Sequence, residues 1–60
     1  MKVGDLVRVK KGTHDPHLPK DRTGIVTRLN TRRGGAHVFF PNRRTLKFHT
    51  DYLLVVAENA

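Results

Sequence analysis

The chain has 60 residues, no cysteine, and twelve Lys and Arg against five Asp and Glu, which gives a formal net charge of +7. A domain of this size buries only about 60% of the surface of its unfolded chain, so functions on the surface are favoured over a deep catalytic pocket. Without cysteine there is neither a disulfide framework nor a thiolate metal site. We also expect a cytoplasmic protein, because no apolar run approaches about 18 residues and no signal-peptide pattern follows Met1.

The positive charge is concentrated in residues 22–49. This stretch contains no Asp or Glu and seven basic residues, namely Arg22, Arg28, Arg32, Arg33, Arg43, Arg44 and Lys47. Outside it, five basic residues are matched by five acidic ones, so the stretch accounts for the whole net charge. If the net charge served only solubility, acidic residues would be expected in the middle of the chain as well. The segregation therefore predicts a partner of negative charge.

The first predicted strand covers residues 3–10, where Val7 and Val9 alternate with basic residues. This period of two is typical of a half-buried strand, with both valines facing the core. Asp5 follows a glycine and predicts a turn, because its carboxylate can accept hydrogen bonds from local backbone amides. Residues 12–21 contain two His, two Asp and two Pro without an apolar period, so we predict a loop there.

Residues 23–29 are rich in β-branched side chains and predict the second strand. Their phase is ambiguous, because Ile25 and Leu29 would share one face of a regular strand while Val26 takes the other. Either both faces are partly covered, or a β-bulge changes the register within the strand. Residues 30–35 end in paired glycines, which predict a hairpin loop with two arginines at its tip.

Two further strands, residues 36–40 and 45–49, are predicted on either side of a turn that carries Arg43 and Arg44. Residues directly opposite each other in a hairpin lie on the same face of the sheet. The tightest hairpin that sets core residue against core residue has two pairs on its inner face, Phe40 with Leu46 and Val38 with Phe48.

Residues 50–53 are too few for a stable α-helix and predict one 3₁₀ turn, with Thr50 or Asp51 as its N-cap. Residues 54–56 predict a short last strand, and residues 57–60 are expected to fray because they have nothing to bury. Five short strands separated by turn signals predict a single all-β domain, a small barrel.

The order of these elements is that of an SH3-like barrel: a strand, a long loop, a three-stranded meander, a 3₁₀ turn and a last strand. The early part of the chain also resembles the KOW motif of NusG-type transcription elongation factors and several large-subunit ribosomal proteins. The residues that carry this resemblance are Gly4-Asp5-Leu6-Val7-Arg8-Val9, Gly12 and Gly24-Ile25-Val26. The later run resembles the closing part of NusG-type KOW domains through Leu46-Lys47-Phe48-His49, Tyr52-Leu53 and Val55-Val56.

The resemblance covers about residues 3 to 56 and implies one SH3-like, KOW-type domain over residues 1–60. It departs from the motif between Gly12 and Gly24, where this chain has a longer loop. No contact residue can be carried across that loop from the family. Barrels of this shape serve many functions, so the function has to be argued from the site.

The candidate nucleic-acid-binding surface is the outer face of strands 2 to 4 with both hairpin tips. The predicted register places Phe39 beside Lys47, and His37 beside His49, on this face. An exposed ring among cations suits a single-stranded nucleic acid, whose bases stack on the ring while its phosphates meet the guanidinium groups. RNA or a ribonucleoprotein is favoured over a defined DNA sequence, because no helix is predicted that could enter a major groove. The predicted contact residues are Arg28, Arg32, Arg33, Phe39, Arg43, Arg44 and Lys47.

Two alternatives remain open from the sequence. A terminal segment could cover Phe39 and form a second small core. The chain could also be a protein-interaction or assembly module, a component of a larger particle or of the transcription machinery. Such a module would present an apolar patch built from Leu6, Leu18, Phe39 and Tyr52.

No catalytic, metal or cofactor site is predicted. The chain contains neither cysteine nor serine, and its carboxylates do not recur at a fixed spacing, so we do not expect an enzyme. His14 and His17 have a chelating spacing, but two ligands are fewer than the three or four that a zinc site requires.

Overall fold

The computed structural model describes residues 1–12, 16, 18, 20–30 and 32–59. Five strands make up one antiparallel sheet: β1 (Leu6–Val9), β2 (Thr23–Asn30), β3 (Gly35–Phe39), β4 (Thr45–His49) and β5 (Leu53–Ala57). A 3₁₀ turn, Thr50–Tyr52, precedes β5. The all-β prediction is therefore confirmed. The loop predicted at residues 12–21 lies partly outside the described residues, as do His14 and His17.

The strands are arranged in the order β4-β3-β2-β1-β5. β1 pairs with both β2 and β5, so the first and last strands of the chain are neighbours. Among the described residues, no backbone pairing joins the two edge strands, β4 and β5. The sheet is thus open between them, and the barrel predicted from the sequence is not confirmed.

No helix in the described part of the chain is long and apolar enough to cross a membrane.

The hydrophobic core lies on one face of the sheet and includes side chains from every strand. Its buried members are Val7, Val9, Val26, Ala36, Val38, Phe40, Phe48 and Leu53. The rings of Phe40 and Phe48 pack edge to face, with their centroids 6.2 Å apart. Leu18, Leu29 and Leu46 pack against this core from its margin. The inward orientation predicted for the two valines of β1 is confirmed.

A β-bulge in β2 resolves the phase ambiguity of this strand. The register of β2 against β3 shifts between Val26 and Arg28, so Thr27 is the extra residue. Residues on either side of the bulge exchange faces. Ile25 is 47% exposed while Leu29 packs against the core, although a regular strand would place both on one face. Of the two alternatives from the sequence, the bulge is the one that the structure contains.

The register predicted for the hairpin of β3 and β4 is wrong by two residues. Leu46 lies opposite Val38 instead of Phe40, and the partner of Phe48 is Ala36 instead of Val38. Because the shift is an even number of residues, every side chain keeps its predicted face. Its neighbours on that face nevertheless change.

The turn that joins these strands explains the error, because it is wider than the tightest possible hairpin. The N–H of Phe40 donates to the carbonyl of Arg44 at 2.9 Å, and the N–H of Arg43 donates to the carbonyl of Phe40 at 3.0 Å. The Arg44 N–H also donates to Oδ1 of Asn42 at 3.2 Å. Phe40 therefore belongs to the turn and has no partner in β4 through a regular strand pairing.

The last part of the chain also differs from expectation. The 3₁₀ turn is capped by His49, whose Nδ1 accepts the Asp51 N–H at 3.1 Å, and not by the predicted Thr50 or Asp51. Ala57 is the last residue of β5 instead of the start of a frayed tail. The N–H of Asn59 then donates to Oδ1 of Asp5 at 2.7 Å. Through Asn59, residues 57–59 are thus tied to the turn before β1.

Candidate nucleic-acid interface

Side chains on the outer face of the sheet lie in rows that cross the strands. Leu6, Ile25 and Phe39 are successive partners across β1, β2 and β3, and we refer to them as the apolar row. Arg28, His37 and Lys47 are successive partners across β2, β3 and β4, and we refer to them as the basic row. Directly opposed side chains have their Cβ atoms about 4.5–5.5 Å apart. Each row is therefore a continuous ridge.

The two rows are neighbours, because His37 and Phe39 are two residues apart on the same face of β3. Two residues of a strand span about 7 Å. The phenyl ring of Phe39 thus lies within one strand pleat of the basic row. Lys47, which was predicted to lie beside Phe39, is instead diagonal to it. Phe39 is paired with Thr45, and Lys47 is paired with His37. The predicted pairing of His37 with His49 is also replaced, because His49 lies opposite Gly35.

Phe39 remains 42% exposed, so among the described residues no terminal segment covers it as a second core. It lines an open groove of about 220 Å³ that runs along the apolar row. The groove is bounded by Leu6, Asp21, Thr23, Gly24, Ile25, Phe39 and Pro41. The ring is therefore both accessible and part of a preformed apolar surface.

On the other side of the basic row, the surface continues towards the tip of the β2–β3 hairpin. An open cleft of about 390 Å³ is lined there by Arg28, Leu29, Asn30, Arg32 and His37. This cleft brings Arg28 and Arg32 together. Both arginines line the same space.

The two pairs of tip arginines lie at opposite ends of β3. Arg32 and Arg33 precede this five-residue strand, and Arg43 and Arg44 follow it. At about 3.4 Å per residue, the strand separates them by about 17 Å. The predicted contact residues therefore form an elongated strip instead of a compact patch. Arg28, Phe39 and Lys47 lie in the middle of this strip.

Ion pairs with the described residues do not neutralise the cations of the strip. Within the described ranges, the ion pair found is that of His49 Nδ1 with Asp51 Oδ2, at 3.4 Å. No carboxylate oxygen of those ranges comes within 4.0 Å of a charged nitrogen of the predicted contact arginines or Lys47. The positive charge is thus available to a partner.

A second group of cations was missed by the sequence analysis. It lines an open cleft of about 520 Å³, formed by Arg8, Val9, Lys11, Lys20, Asp21 and Arg22. Arg8 belongs to the outer face next to the apolar row, and its Nε donates to Oγ1 of Thr23 at 3.4 Å. Three of these cations, Arg8, Lys11 and Lys20, lie outside residues 22–49. In that part of the chain the five basic residues are matched in number by five acidic residues. Equal numbers of basic and acidic residues in the sequence need not form ion pairs in the structure.

The apolar patch predicted for an assembly module is only partly formed. Leu6 and Phe39 share the groove, but Leu18 packs against the core. Tyr52 lies elsewhere, with its ring edge to face with that of His49 at a centroid distance of 6.5 Å. Among the described residues, no three His, Asp or Glu side chains come together in a way that could hold a metal ion.

Comparisons of the chain with protein-family models, with curated proteins and with solved structures find no match. The resemblance to KOW domains therefore stays a prediction.

Proposed function

We propose that the chain is a non-enzymatic module that binds single-stranded nucleic acid, with RNA or a ribonucleoprotein as its partner, through the outer face of β2, β3 and β4. The observation that carries this proposal is that the basic row and the apolar row are neighbours, so the half-exposed ring of Phe39 lies next to cations that form no ion pair with the described residues. Single-stranded nucleic acids offer a matching alternation of charged phosphates and planar bases.

Each row has a distinct part in this proposal. Arg28 and Lys47 meet phosphates, and the planar fork of the arginine suits bidentate contact. Phe39 accepts a stacked base, an interaction worth about 1–3 kcal/mol per base by alanine substitution. The arginines at the two hairpin tips extend the contact along β3. Stacking and phosphate contacts by themselves depend little on base sequence.

The fold that we propose for this module is an SH3-like barrel of the KOW type. The strand order β4-β3-β2-β1-β5 and the 3₁₀ turn before β5 support it. The Gly4-Asp5 pair that leads into β1, as in the KOW motif, also supports this fold.

The test is a titration of fluorescently labelled single-stranded RNA with the protein at several salt concentrations, followed by anisotropy. If about five cations meet phosphates, log K should fall against log salt with a slope of about −3.5. Absence of binding at low salt, or a slope near zero, would contradict the proposal. Duplex DNA of the same length is the comparison ligand and should bind more weakly.

A second function, a protein-interaction or assembly module, is favoured by one observation at the β5 edge of the sheet, opposite the β4 edge. The edge strand β5 consists only of apolar residues, and Leu54, Val55 and Val56 are each at least 41% exposed. An uncharged edge strand can pair with a strand of another chain. Size-exclusion chromatography at high salt separates the two functions, because an apolar association survives conditions that remove phosphate contacts.

A further inference from the structure

We infer that the groove beside Phe39 is a base-selective subsite, which takes one unpaired nucleobase and prefers a base that carries an exocyclic amine over uracil. This inference rests on the proposed function and adds a preference among bases to it. The selecting group is the carboxylate of Asp21 at the rim of the groove.

The size and walls of the groove suit a single planar ring. Its volume of about 220 Å³ is below the roughly 300–1,000 Å³ of pockets that hold drug-sized ligands. Ile25 and Phe39 form apolar walls that are open to solvent, at 47% and 42% exposure, and Pro41 lies at one end. A base that stacks on Phe39 would cover surface that no described residue covers.

Cations lie on both sides of this groove. The basic row is two residues away along β3, and the second cleft, with Arg8, Lys11, Lys20 and Arg22, lies on the other side. Asp21 lines both the groove and that cleft, so the two are contiguous. A nucleotide within a strand has a phosphate before and after its base. A base in the groove would therefore place both phosphates next to cations.

Asp21 is held at the rim by its own turn. Its Oδ1 accepts the Thr23 N–H at 3.3 Å, and its backbone carbonyl accepts the Thr23 hydroxyl at 2.9 Å. Its Oδ2 makes no hydrogen bond with the described residues and can accept one from a ligand. An ionised carboxylate only accepts hydrogen bonds, so it favours the amine of cytosine or adenine. Uracil has no amine, and its N3–H donor lies between two carbonyl oxygens, which a carboxylate repels.

The experiment compares short oligocytidine and oligouridine of equal length by fluorescence anisotropy, with the wild-type chain and Asp21→Asn. The wild-type chain should bind oligocytidine about fivefold to tenfold more tightly, the order expected for one carboxylate contact to an amine. Asp21→Asn keeps an oxygen for the Thr23 N–H but can also donate to a carbonyl. It should bind both oligonucleotides within about twofold of each other, chiefly through stronger binding of oligouridine.

Asp51→Asn is the matched control, because it makes the same change of charge at a residue outside the groove. It should strengthen the binding of both oligonucleotides equally and leave their ratio unchanged. Equal affinities with the wild-type chain, or a ratio that Asp21→Asn does not alter, would overturn the base-selective subsite while RNA binding itself stands. If neither oligonucleotide binds at low salt, the proposed function fails and the subsite fails with it.

Discussion

Asp5 shows how one residue ties the ends of the chain together. Its side chain is only 1% exposed, and both carboxylate oxygens accept backbone N–H groups, Oδ1 from Asn59 and Oδ2 from Lys2. The hydrogen bond from Asn59, followed by the one from Lys2, lowers the pKa of Asp5 below its ordinary value of 3.8. The sequence predicted the local contact from turn chemistry. It did not predict the contact with Asn59, because nothing in a local pattern marks a partner 54 residues away.

The depressed pKa makes stability dependent on pH. Since the folded state holds the carboxylate in its charged form, the contribution of Asp5 is complete above about pH 4 and is lost as pH falls towards its folded pKa. We expect Asp5→Asn to lower the melting temperature at pH 7 and the difference from the wild-type chain to shrink below pH 4. Thermal denaturation by circular dichroism over this range is the measurement.

The control for this prediction is Asp51→Asn, the same change at a carboxylate that is 85% exposed. It should leave the melting temperature nearly unchanged at every pH. A constant difference between Asp5→Asn and the wild-type chain from pH 7 to pH 3 would show that the charge of Asp5 does not contribute.

At the scale of elements, the sequence predicted the faces of the strands better than their partners. The face of a side chain follows from the local period of two, so Val38 lies on the inner face and Phe39 on the outer face as predicted, whereas the 42% exposure of Phe39 was left open by the sequence. The partner depends on the geometry of the turn. The wide turn with Arg43 at a φ of +65° carries no strong signal, since arginine is not a residue that favours this conformation.

Close approach of β2 and β3 depends on Gly24, and its substitution should be destabilising. A Cβ there would lie 2.6 Å from Cγ1 of Val38 and 2.7 Å from the carbonyl oxygen of Phe39. We expect Gly24→Ala to lower the free energy of unfolding by about 1–3 kcal/mol, the usual cost of overpacking. Urea denaturation measures this value.

Gly35→Ala is the matched control, because its Cβ would meet mainly Cε of Lys47, at 3.2 Å, on a flexible side chain. It should cost less than Gly24→Ala. Equal losses for the two variants would mean that the backbone and core contacts of Gly24 are not the cause.

The β3–β4 turn allows stability and binding to be separated. For a non-glycine residue the left-handed conformation costs about 1–2 kcal/mol, so Arg43→Gly should raise the stability of the fold by up to about 1 kcal/mol. Arg43→Ala should leave stability unchanged, because alanine bears the same steric cost. Both variants should weaken RNA binding and reduce the salt slope by about 0.7, the share of one cation. If Arg43→Gly binds RNA as tightly as the wild-type chain, this tip is not part of the interface.

At the scale of the whole molecule, net charge and its position have to be distinguished. The sequence located the strip of cations around β3 because no acid interrupts residues 22–49. It did not locate the cleft with Arg8 and Lys20, because equal numbers of acids and bases along the chain hide a local excess of charge: four cations line this cleft with one acid, Asp21. The pairing of β1 with β2 brings this cleft next to the strip. The interface that results crosses four of the five strands.

The contribution of each cation group can be measured from salt dependence, since every cation that meets a phosphate of a single strand adds about 0.7 to the magnitude of the slope. Arg28→Ala/Lys47→Ala removes two cations of the basic row, and Arg8→Ala/Lys20→Ala removes two cations of the second cleft. Each double variant should reduce the slope by about 1.4, and the fourfold variant by about 2.8, if the strand contacts both groups at once.

Lys2→Ala is the control for the removal of charge alone. Its Nζ donates to the carbonyl of Asn59 at 3.1 Å, and it lines neither cleft, so its loss should leave the slope nearly unchanged. An unaltered slope for Arg8→Ala/Lys20→Ala would confine the nucleic acid to the strip along β3. The bound nucleic acid would then extend from the groove beside Phe39 towards the strip only, and not towards the second cleft. A reduction in both double variants requires a strand that passes over the groove, because the groove separates the two groups of cations.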